Sequence, residues 1–163
     1  VTGEGGHVCF APDSEQQIEI LKVLRQKFSL VSVERLVEGS GLYNIYVDIA
    51  AILDEQGPQL SAKQIFTERD SRPVASEAID VFFELLGQVA GDLALTLGAF
   101  DGVYIAGGIA KRYPDVLNDS QFRAGFESKC RHSAIMKRIP TRLITHEQPG
   151  LLGAAYCVLE VVS

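Results

Sequence analysis

Five residues near the start of the chain, Gly3-Glu4-Gly5-Gly6-His7, place a carboxylate and an imidazole on a backbone whose glycines let it approach a ligand closely. A carboxylate accepts two hydrogen bonds, which suits adjacent sugar hydroxyls. A neutral imidazole donates from one nitrogen and accepts at the other. Together they could clamp a polyol. The competing reading is a glycine-rich turn in which Glu4 is solvated and His7 is merely packed. The segment is not a dinucleotide fingerprint, because Val8 stands where the third glycine is required, and no Walker A loop occurs anywhere.

A second glycine pair, Gly107-Gly108, follows the apolar run Val103 to Ala106 and precedes a helix start. A turn between a buried strand and a helix lets the chain approach a nucleotide with no Cβ in the way, although a tight packing turn would look the same. His132 and His146 have no second ligand at metal spacing, and Cys9, Cys130 and Cys157 form no Cys-x-x-Cys pair, so no metal site is expected. Scattered cysteines also lack a disulfide framework and suit a reducing cytoplasm.

The elements that must position these residues are mostly helical. Val8 to Phe10 reads as a strand end stopped by Pro12. Ser14 with Gln17 resembles a capping box, opening a helix with Ile18, Leu21, Leu24 and Phe28 at helical spacing. A short helical turn is expected within Val31 to Val37, broken by Gly39-Ser40-Gly41 before a helix from Leu42 to about Leu53 that ends at Gly57-Pro58. Ser61 to Glu68 reads as a short helix. Pro73 then opens the longest helical pattern, with Ile79, Phe82, Phe83, Leu86, Val89, Ala90, Leu93 and Leu97 as its stripe and Gly98 as a left-handed cap. Arg142 to Thr145 reads as a strand. The helix after Pro149-Gly150 is apolar on nearly every side, a pattern normally enclosed by protein.

With 47% hydrophobic residues among 163, the chain has enough apolar surface for one globular domain. A net charge of -6 disfavours nucleic acid and anionic membrane as partners. The apolar stretch Leu151 to Val162 is about half the ~20 residues that cross a bilayer. The chain starts at Val1 and its single methionine is Met136, from which a portion upstream is expected.

The run Gly-Glu-Gly-Gly-His-Val followed by Phe10-Ala11-Pro12 resembles the signature segment of the bacterial glucokinases, which are hexokinase-like sugar kinases. Three later segments agree in order. They are Val33-Glu34-Arg35-Leu36-Val37 with Ser40-Gly41-Leu42, Gly102 to Ile109, and Pro149 to Gly153. Cys9 stands where an acidic residue is common in that family, and Ser40 replaces a frequent proline.

The resemblance implies an α/β chain, the C-terminal part of an actin-like (RNase H-like) ATPase fold, with residues 1–163 as one domain, few strands and an incomplete sheet. It implies that Glu4, His7 and Glu34 bind glucose and that Gly107 and Gly108 line the adenosine side of an ATP site. By residue type alone, Glu34 would be an exposed helix residue. The aspartate base and the phosphate loops that work with Mg²⁺ belong to the family's N-terminal portion, so no catalytic residue is expected here. The intact protein would phosphorylate glucose with ATP, and the isolated chain would be inactive. A noncatalytic sugar-binding or regulatory module is the alternative. The open sheet edge would favour a homodimer or association with a complementary fragment.

Overall fold

The computed structural model describes residues 3–55 and 58–162. Its elements run α1 (Glu15–Lys27), α2 (Glu34–Val37), α3 (Gly39–Ile52), α4 (Ala62–Glu68), α5 (Pro73–Leu97), β1 (Val103–Ile105), α6 (Gly108–Arg112), α7 (Pro114–Asp119), α8 (Phe122–Glu127), α9 (Ser133–Met136), β2 (Thr141–Leu143) and α10 (Pro149–Val162). β1 and β2 pair in parallel, with Val103 opposite Thr141 and Ile105 opposite Leu143. Parallel neighbours need a crossover, which here is the helical run α6 to α9. The chain is therefore α/β, helix-rich with one small sheet.

α5 is the central post. Pro73 sits at its first turn, where a missing N–H costs nothing, and Gly98 closes it in the left-handed conformation. Ile79, Phe82, Phe83 and Leu85 are buried in one core with Ile45, Ile49, Ile65, Phe122 and Phe126. α8 packs closest, because glycines face it from both helices. A Cβ on Gly125 would run into the Glu84 carbonyl, and one on Gly87 into that of Phe122. The far end of the α5 stripe is different. Leu93 and Leu97 are exposed and flank an apolar groove of about 430 Å³ shared with Val103 and Tyr104.

Several sequence expectations change. Ser14 does cap α1 by accepting from the Gln17 backbone N–H, but Gln17 turns its side chain to the Asp13 N–H, so the reciprocal box is not formed. The reciprocal box occurs instead at α4, between Ser61 and Gln64. Buried residues of α1 are Gln17, Ile20 and Leu24, leaving Ile18 at the margin of its face.

Gly39-Ser40-Gly41 does not break a helix; it begins α3. A Cβ on Gly41 would strike the Leu36 backbone, so glycine serves the close approach of α2 to α3. α3 ends at Ile52, with Asp54 at φ 54°, and Gly57 lies outside the described residues. β1 is shorter than Val103 to Ala106 and only Ile105 is buried. β2 covers Thr141–Leu143 rather than Arg142 to Thr145.

The largest departure is α10. Every described side chain of this apolar helix, from Pro149 to Leu159, is exposed, including Leu151 and Tyr156. Its composition asks for cover on all sides, and the described residues do not supply it.

Candidate functional site

A 3₁₀ turn and the start of α2, joined by the short stretches between them and the core, build the first candidate site. An isolated antiparallel bridge joins Cys9 to Ser32, and the Phe10 N–H donates to the Val31 carbonyl as the Val33 N–H does to that of Val8, each over 2.9 Å. In an antiparallel register partners step in opposite directions, so Val8 falls opposite Val33 and His7 opposite Glu34. Sequence separation of the pair is thereby cancelled by one bridge. Phe10, Val31 and Val33 anchor it in the core.

The side chains follow the backbone. Nδ1 of His7 lies 2.9 Å from Oε1 of Glu34. In a neutral ring protonated at Nδ1, Nε2 is an acceptor, and the side chain is exposed. His7 ends the single 3₁₀ turn Gly5–His7, whose N-cap is Glu4, and the His7 N–H donates to the Glu4 carbonyl over 3.0 Å. Glu4 lies just outside the turn, at φ -118° and ψ 57°, three residues before His7. Glu4 itself is exposed.

Glu34, half-buried, opens α2, where a carboxylate also complements the N-terminal end of the helix. Ser32 Oγ donates to the same Oε1 over 3.4 Å. Ser32 has no counterpart among the sequence expectations. The only signal for it in the chain is a small hydroxyl two residues before the glutamate.

The second candidate site is the turn after β1. Gly107 has φ 142° and ψ 154°, backbone that a residue with a Cβ rarely adopts, and a Cβ there or on Gly108 would meet nothing within 4 Å. The glycine is needed for conformation, and the space beside it is open. Two cavities flank the turn. One, of about 370 Å³, runs from Val37 and Gly39 over Phe82 to Ala106 and Ile109. The other, of about 280 Å³, lies between Gly39, Lys63, Gly108 and Arg112, with Phe66 and Tyr113 stacked at 3.8 Å in its wall.

Both cavities reach the junction of α2 and α3, while Glu34 stands at the other end of α2. Four residues of helix separate Glu34 from Glu38, a rise of roughly 6 Å. Neither cavity is lined by Glu4, His7 or Glu34, so the two candidate sites are neighbours rather than one closed pocket. His132 and His146 are exposed and line neither cavity.

The family model described as Glucokinase matches residues 1–161. A glucokinase of Photorhabdus laumondii subsp. laumondii is 50% identical over 155 residues, 93% of this chain and 48% of the relative. One of Pectobacterium atrosepticum is 45% identical over 98% of this chain and 50% of its own length. The chain spans about half the length of the curated relatives it matches. Among solved structures, a glucokinase from an Antarctic psychrotroph superimposes with a TM-score of 0.90 at 32% identity, covering 98% of this chain and 50% of the other. That of Balamuthia mandrillaris, in complex with glucose, superimposes with a TM-score of 0.69 at 21% identity over 90% of this chain and 43% of the other, a likeness of fold. By the family model, which takes in nearly every residue, this chain belongs to the glucokinase family.

Proposed function

We propose that this chain is the sugar-orienting half of an ATP-dependent glucose kinase, residues 1–163 forming one C-terminal domain of actin-like fold. The observation that carries the reading is the opposition of His7 and Glu34 at 2.9 Å, beside the exposed Glu4. Two carboxylates and an exposed imidazole offer hydrogen-bonding groups to neighbouring hydroxyls and hold a hexose in one orientation. Gly107 and Gly108, which share a cavity with Val37 and Gly39 at the far end of α2, suit the adenosine side of ATP.

Phosphorylating an ordinary hydroxyl also requires a base and donors that hold the phosphates in line. We assign those to the half of the relatives that this chain does not span, together with the Mg²⁺ that neutralises the β- and γ-phosphates. The residues here position the acceptor and line the nucleotide turn. The isolated chain therefore phosphorylates nothing at a measurable rate. Three exposed free thiols, Cys9, Cys130 and Cys157, suit a reducing cytoplasm. Among the described residues the outer edges of β1 and β2 are unpaired and invite association with a complementary fragment or a second copy.

Glucose 6-phosphate formation by the full-length protein tests the reading. Glu4→Ala should raise the glucose KM by about ten- to a hundredfold, the loss of one or more hydrogen bonds to a charged group. Unchanged glucose kinetics in that variant would contradict the role.

A further inference from the structure

We infer that Ser32 is a positioning residue for the Glu34 carboxylate, an inference that rests on the sugar-kinase reading above. Ser32 is 2% exposed, and among the described residues its hydroxyl has one partner, Oε1 of Glu34 at 3.4 Å. The same oxygen lies 2.9 Å from His7 Nδ1. Oε1 is thus approached by two protein groups. No protein donor among the described residues reaches Oε2, which lies 3.8 Å from where a Cβ on Gly6 would stand, on the side of the glycine turn.

That division of labour matters because the last torsion of a glutamate is broad and roughly two-fold, so a single donor leaves the carboxylate free to swing. Two donors on one oxygen fix its plane and present the other oxygen to a ligand. Ser32 can act as such a stop because its backbone is held on both sides. It pairs with Cys9 in the bridge, and its carbonyl accepts from the Arg35 N–H over 3.0 Å at the start of α2. The hydroxyl is delivered from a fixed point, whereas His7 is exposed. Ser32 touches no ligand itself and acts through Glu34.

The test is a mutant cycle on glucose phosphorylation by the full-length protein. Ser32→Ala should raise the glucose KM about tenfold while kcat changes by less than about threefold and the ATP KM stays put, because a lost ground-state alignment weakens sugar binding. In a Glu34→Ala background, which removes the acceptor, the same substitution should add less than about twofold, since residues acting through one another are not additive. Ser32→Thr, which keeps the hydroxyl, should recover most of the loss. Should Ser32→Ala fail to fold, Ser32→Cys, with a weaker donor of similar size, is read in the same cycle. An equal KM factor in both backgrounds, or no KM change at all, overturns the inference while leaving the kinase reading intact. A wild-type protein that phosphorylates no hexose overturns both.

Discussion

Lys27 Nζ lies 2.7 Å from Oδ1 of Asp48, and the other oxygen of that fully buried carboxylate has no hydrogen-bond partner among the described residues. The pair ties the last turn of α1 to the middle of α3, on either side of the segment that carries Ser32 and Glu34. Burial pushes the Asp48 carboxyl above its usual range, and the hydrogen bond and charge of Lys27 offset this only in part. An acid whose folded pKa is raised holds its proton longer in the native state than in the unfolded chain. Its contribution to stability is therefore fully present below the unfolded value near 3.8 and is lost as pH rises through the folded pKa. Against an Asp48→Asn variant, which cannot titrate, the wild type should gain melting temperature as pH falls from 7 towards 4. A difference in Tm that stays flat over that interval would show that Asp48 is not so perturbed.

Gly6 faces Glu34 at a distance that separates two substitutions. A Cβ there would lie 3.5 Å from the Glu34 Cβ, which is ordinary contact, so Gly6→Ala should leave the glucose KM of the full-length protein within about twofold. Gly6→Val would push its branches against the carboxylate and raise KM about tenfold or more, a cost of ~1 to 3 kcal/mol for overpacking. Steady-state kinetics of the two variants side by side decide it.

Gly125 is where α8 meets α5 backbone to backbone. Gly125→Ala has no way to seat its methyl group except by moving the Glu84 carbonyl, and should cost ~1 to 3 kcal/mol, a fall in Tm of roughly 3 to 10 °C for a chain of this size. Calorimetry reads this directly. An unchanged Tm would mean that α8 can slide on α5.

Arg123 holds the segment entering β2. Its guanidinium donates to Glu127 Oε1 over 2.6 Å and 3.0 Å, to the Ile139 carbonyl and to Thr141 Oγ1, and it stacks over Phe126 at 4.8 Å. A lysine is a point charge and cannot reproduce that fork. Arg123→Lys should lower stability by ~1 to 2 kcal/mol in urea unfolding, with the m-value unchanged.

What the sequence discloses depends on whether the determinant is local. α5 was legible because Pro73 and Gly98 bracket an apolar stripe, and both punctuation marks act within one turn of their own position. The beginning of α3 was misread because Gly39 and Gly41 look like helix breakers, whereas Gly41 answers to the Leu36 backbone on another element. The same holds at the site. Glu4 and His7 can be chosen from five adjacent residues, but the meeting of His7 with Glu34 depends on the bridge between Cys9 and Ser32, which leaves no periodicity to read. Here the family resemblance supplied Glu34, and nothing local supplied Ser32 or the Lys27–Asp48 pair.

The bare apolar flank of α10 bears on how this polypeptide behaves in a test tube. A cylinder with Leu151, Leu152, Tyr156, Val158 and Leu159 all facing water has no wet side on which to rest, much as a detergent tail has none. Environment-sensitive dyes should light up on it, the signal should fall with chilling as the hydrophobic driving force weakens, and sulfate should salt the chain out early.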